Sequence, residues 1–160
     1  MRFFLLAPLL AFTIVGTINA QPGFYDKFPF TYADTIRGAL RPERTCFDVT
    51  YYGLNISIDM VKESIEGYVD IDYRVVEPTK RIQLDLYRNL NIARIVLAGK
   101  ELNYTRVEDA FFVDLPYEQS TNSVHRLRVY YNGKPQKAKN PPWDGGFVWK
   151  LDQKDRSWFG

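Results

Sequence analysis

From Phe47 onward apolar residues recur at every second position, which fits a half-buried β-strand and not an amphipathic helix, whose apolar face repeats every three or four residues. FDVTYYGLNISID carries apolar residues at Phe47, Val49 and Tyr51 and then at Leu54, Ile56 and Ile58, so the parity shifts by one around Tyr52 and Gly53. A glycine at such a shift is the expected seat of a β-bulge. IEGYVDIDYRVV sets Ile65, Val69, Ile71, Tyr73 and Val75 on one face and Glu66, Tyr68, Asp70, Asp72 and Arg74 on the other, as in a half-buried antiparallel strand. EPTK then turns the chain into RIQLDLYRN, where Ile82, Leu84 and Leu86 alternate with Arg81, Gln83, Asp85 and Tyr87. NIARIVLAGKEL follows with a turn at Gly99 and Lys100, then LNYTRV, AFFVDLP and VHRLRVYYNG. Strand and turn signals about ten residues apart predict an all-β, mostly antiparallel sandwich or related layered sheet. No stretch after residue 45 has helical periodicity.

Ahead of this region the chain has a different character. MRFFLLAPLLAFTIVGTINA begins with Arg2, runs apolar from Phe3 to Val15 and ends in small and polar residues at Ala20. That is the layout of a secretory signal peptide, residues 1–20, cleaved after Ala20. The run is shorter than the roughly 20 residues of a spanning helix, and Pro8 interrupts it, so no stable membrane span is expected after cleavage. The chain is therefore expected to be exported, to a periplasm or the extracellular space. Residues 21–45 read as an extended aromatic lead, with TYADTIRGAL a short helix stopped by Gly38 and Pro42.

The formal charge is +2, with no long run of either sign, which argues against a nucleic-acid groove or a polybasic membrane patch. Cys46 is the only cysteine, so an internal disulfide is impossible and the core must hold the domain together. It reads as a small, semi-buried residue at a strand entrance. Asp70 and Asp72 lie on one strand face roughly 7 Å apart, a spacing open to calcium or acid–base chemistry. Cross-strand pairing with Arg74, Lys80 and Arg81 accounts for them more simply. His125 is the only histidine and has no acidic or histidine neighbour at ligand spacing, whereas zinc needs three or four ligands. Asn55-Ile56-Ser57 and Asn103-Tyr104-Thr105 match the short glycosylation pattern and carry no weight here. No residue is assigned as catalytic, cofactor-binding or metal-ligating.

In the tail, NGKPQKAKNPPWDGGFVWKLDQKDRSWFG, Pro141-Pro142 fixes an extended approach and Asp144-Gly145-Gly146 makes a turn. FVWKL and RSWF are predicted to pair as a hairpin across DQKD. Trp143, Trp149 and Trp158 fit two readings equally: an aromatic platform for a sugar or peptide, or a hairpin buried against a neighbouring layer.

FDVTYYGLNISIDMVKESIEGYVDIDYRV, IQLDLYRNLNIARIVLAGKEL, FFVDLP, RLRVYYNGKP and PPWDGGFVWKLDQKDRSWFG together resemble the N-terminal domain of the aminopeptidase N family of zinc metallopeptidases, which includes leukotriene hydrolase relatives. The ordered series covers residues 46–160 and is most similar to exported bacterial members. The resemblance implies a saddle-shaped, mostly antiparallel β domain, truncated at its C-terminal end, that packs on a thermolysin-like catalytic domain in cis. In that family zinc is bound by HExxH and a later glutamate, and a GAMEN-like strand holds the peptide substrate. None of these motifs stands in this sequence, so the chain is expected to be an N-terminal fragment, inactive alone, with zinc and peptide substrates belonging to the full-length protein. The alternative is a free-standing secreted β module that binds carbohydrate or protein through exposed aromatics.

Overall fold

The computed structural model describes residues 30–141 and 143–160. The signal-like segment and the lead up to residue 29 lie outside the described residues. Thr31–Gly160 forms one compact unit.

Two short helices come first. Helix α1, Tyr32–Gly38, opens on a capping box in which the Thr31 side chain accepts from the Asp34 amide while the Asp34 carboxylate accepts from the Thr31 amide. Helix α2, Pro42–Thr45, has Pro42 in its first turn, where a missing N–H costs nothing. α1 is the short helix expected in TYADTIRGAL, whereas Pro42 starts a second helix instead of only stopping the first, where the sequence suggested an extended lead.

Ten strands follow: β1 (Phe47–Asp59), β2 (Ser64–Val75), β3 (Thr79–Asp85), β4 (Leu90–Leu97), β5 (Lys100–Glu101), β6 (Tyr104–Val107), β7 (Ala110–Gln119), β8 (Val124–Gly133), β9 (Trp149–Leu151) and β10 (Ser157–Phe159). They form a five-stranded sheet ordered β1-β2-β8-β4-β5, a three-stranded sheet ordered β3-β7-β6, and the β9–β10 ribbon. All these strand pairs are antiparallel. The molecule is an all-β, sandwich-like domain, as the alternation predicts.

The inner faces of the two larger sheets close on one core. Ile71, Tyr73, Val75, Ile95, Leu127 and Val129 come from the large sheet, and Ile82, Phe111, Val113 and Leu115 from the small one. AFFV at the start of β7 is buried on both faces, because α1 covers the outer face of the small sheet: Ile36 packs there with Ala110 and Phe112. Gln83, which alternation placed toward solvent, is consequently buried, and its side-chain amide donates to the Ile36 carbonyl at 3.0 Å.

Two turns fall differently from expectation. The β1 bulge lies between Val49 and Tyr51, not at Gly53, which pairs regularly with Asp70. The inserted Thr50 needs no positive φ, and its hydroxyl donates to the Asp72 carbonyl at 3.1 Å. Tyr52, not Tyr51, therefore joins the inner face with Leu54 and Ile56. The β4–β5 turn uses Ala98 and Gly99, both at positive φ (49° and 78°), one residue earlier than the sequence suggested.

Candidate functional site

The aromatic tail is built from backbone locks. The Asp144 carboxylate accepts from the Lys139 amide (2.6 Å) and the Asn140 amide (2.9 Å), and these bonds, with Asn140 first, hold its acid below the usual carboxylate range. Gly146, at φ 136°, lets the chain pass so close to residues 136–138 that a Cβ would sit 2.6 Å from the Ala138 nitrogen. The Phe147 amide then donates to the Gln136 carbonyl at 2.7 Å, and the Ala138 amide to the Phe147 carbonyl at 3.0 Å.

The ribbon follows as predicted, with Trp149 opposite Phe159 and Lys150 opposite Trp158. Asp152 closes it by accepting from the Arg156 and Lys154 amides at 2.9 and 2.8 Å, so its acid is also lowered. Phe147 stacks on Trp149 (ring centroids 5.7 Å apart), and Trp149 lies 6.1 Å from Phe159. Trp143 is 89% exposed and Trp158 52%. Within this chain the tail presents Trp143 and Trp158 at the surface, a face equally suited to a ligand or to a neighbouring layer. The stacking partners Phe147 and Phe159 were not singled out from the sequence, although their spacing of two from Trp149 and one from Trp158 follows from the hairpin.

Asp70 and Asp72 are paired, but with partners that the sequence order hides. β2 lies beside β8, so Arg128 grips Asp70 (2.6 and 2.7 Å) and Arg126 grips Asp72 (2.5 and 2.6 Å), each with two hydrogen bonds. Arg74, Lys80 and Arg81 do not serve them; Arg81 pairs with Asp114. The Arg128 and Arg126 hydrogen bonds hold both carboxyls below the usual range, so neither is poised for proton transfer. Arg128 also lies over the Tyr68 ring and Arg94 over Tyr130, each at 4.1 Å.

Cys46 is buried in the core at the end of α2, and burial pushes its thiol up, away from nucleophilic thiolate character. His125 sits 2.9 Å from the Ser123 hydroxyl and against the Tyr73 ring, and burial holds its imidazole below the ordinary value. Among the described residues no three of His, Cys, Asp and Glu come together to hold a metal ion, so the side chains present do not fit a zinc site. No helix among them is long and apolar enough to cross a membrane. Asn55 and Asn103 are both exposed, the first on β1 and the second just ahead of β6.

No protein-family model matches the chain, and no curated protein does. Solved structures do. An M1 zinc metallopeptidase from Deinococcus radiodurans matches at 22% identity with a TM-score of 0.55, over 69% of this chain and 27% of its own. A two-domain M1 zinc metallopeptidase bound to L-arginine matches at 22% identity and TM-score 0.54, with the same coverage. Yeast LTA4 hydrolase matches at 19% identity and TM-score 0.54, over 71% of this chain and 18% of its own. The chain thus spans about a quarter or less of these proteins. The described β domain has the fold of the N-terminal domain of the aminopeptidase N family of zinc metallopeptidases.

Proposed function

We propose that this chain is the noncatalytic N-terminal domain of an exported zinc-dependent aminopeptidase, an enzyme that removes N-terminal residues from peptides. The observation that carries this is the extent of the structural likeness: most of the β domain corresponds to only 27% of a two-domain zinc metallopeptidase. The remainder of such a protein, a catalytic domain in cis, would hold the metal and the peptide. Zinc there would activate the water that attacks the scissile carbonyl. An HExxH motif needs two histidines and this sequence holds one, so the contribution of these residues is packing and placement. Export rests on the signal-like residues 1–20.

The test is turnover of an aminoacyl anilide by the purified chain with and without added zinc, alongside the zinc content of the protein. The expected result is no turnover and no stoichiometric zinc. Activity from the purified chain would contradict the assignment of its residues as noncatalytic.

A second reading, a secreted module that binds carbohydrate or protein, is favoured by the exposure of Trp143 in the turn ahead of the ribbon and of Trp158 on it. It predicts a saturable change in tryptophan fluorescence on titration with soluble oligosaccharides, which the peptidase reading does not.

A further inference from the structure

We propose that β1 is a pairing edge for a second copy of this chain, the two β1 strands meeting antiparallel about a two-fold axis at Gly53. The inference does not use the peptidase reading. Sheet edges present unpaired N–H and C=O groups, and proteins usually protect them by shortness, charge or proline. The other edges of the two larger sheets follow that rule: β5 is two charged residues, Lys100–Glu101, β3 carries Lys80, Arg81 and Asp85, and β6 is four residues including Arg106. β1 breaks it. It is the longest strand, it pairs only with β2 among the described strands, and its ten residues from Val49 to Ile58 contain no charge and no proline.

That window also carries exposed apolar side chains: Tyr52, Leu54 and Ile56 on the face it shares with the core are 56%, 68% and 43% exposed, and Tyr51 on the outer face 58%. Beside them a cleft of about 490 Å³ opens between the sheets, lined among others by Phe47, Val49, Tyr52 and Val69. An axis at Gly53 sets Tyr52 opposite Leu54 of the second copy on the inner face and Tyr51 opposite Asn55 on the outer. Aromatic–aliphatic cross-strand pairs of this kind are favourable. With Thr50 bulged out of the ladder, Asp48, at one end of the window, falls opposite Ser57 of the second copy and Asp59, at the other, falls beyond its Phe47, so no like charges meet along the paired strands. Even full cover of these side chains on both copies would hide no more than roughly 1,000 Å², the lower limit for a specific interface, so the dimer is weak and concentration-dependent.

Sedimentation velocity on the purified chain from about 5 to about 200 µM tests this, a range that spans a dissociation constant in the tens of micromolar. Wild type is expected to pass from one copy to two. Leu54→Lys and Tyr52→Glu, both at exposed positions, are each expected to weaken the dimer at least ~10-fold with an unchanged circular dichroism spectrum. Because residue 52 of one copy faces residue 54 of the other, an equal mixture of the two variants should recover the dimer. A wild type that stays monomeric overturns the proposal and leaves the edge to a different strand. Charged variants that dimerise like wild type overturn it too, and a mixture that stays monomeric overturns the Gly53 axis.

Discussion

Tyr73 shows how a single polar atom is accommodated in this core. Its ring is fully buried between the sheets, edge-on to Phe47, and its hydroxyl donates to the Gln119 side-chain oxygen at 2.9 Å. Burial pushes the Tyr73 hydroxyl up to about 12, so the group stays neutral at any physiological pH. Gln119 is itself buried, and its amide nitrogen has no partner in the described structure. Tyr73→Phe would leave the Gln119 oxygen unpaired as well, at a cost of about 1–3 kcal/mol. Urea unfolding should show a lowered midpoint with an unchanged slope; a midpoint equal to wild type would mean that the bond contributes nothing net. The alternation IEGYVDIDYRVV placed Tyr73 inward, but nothing local to it named Gln119, which lies 46 residues along on the other sheet.

At the scale of elements, the β4–β5 turn places Ala98 in a left-handed conformation, where a Cβ costs about 1–2 kcal/mol. Ala98→Asn creates the Asn-Gly pair preferred at such turns and should stabilise the domain by about 0.5–1 kcal/mol. Thermal unfolding reads this as a rise of a few degrees, and an unchanged or lowered midpoint would show that the turn relaxes without penalty. The same turn illustrates where the sequence was readable. Period-two runs marked most of the long strands, and the DQKD hairpin was predictable because its apolar arms flank a charged turn. Three features were not readable. The bulge formed at Thr50 because a side-chain hydroxyl satisfies a carbonyl there, which needs no glycine signal. The partners of Asp70 and Asp72 were missed because β2 pairs with β8 across the intervening β3–β7 segment, so the matching period of Arg126 and Arg128 becomes visible only once those strands are adjacent. Helix α2 was missed because four residues are too few to show a period.

For the whole molecule, the charged groups set a pH dependence with a definite sign. Asp70 and Asp72 have folded-state acidities held below the ordinary value of 3.8 by Arg128 and Arg126, so their stabilisation is fully present above that value and is lost as pH falls through the folded one. His125 is held below its ordinary 6.5 by burial, so the fold favours neutral imidazole and stability begins to decline as pH drops beneath 6.5. Stability measured against pH should therefore fall gently below pH 6.5 and steeply below about 4, and Asp70→Asn should be less stable at neutral pH with a shallower acid limb. An acid limb identical to wild type would remove Asp70 from that account. The central claim, that these residues are the N-terminal domain of a zinc aminopeptidase, is tested most directly by the intact mass of the native gene product in the exported fraction of its source cells. The account predicts a mass several times the 18.7 kDa of this chain. A mass matching residues 21–160 alone would contradict it and move the aromatic binding module to first place.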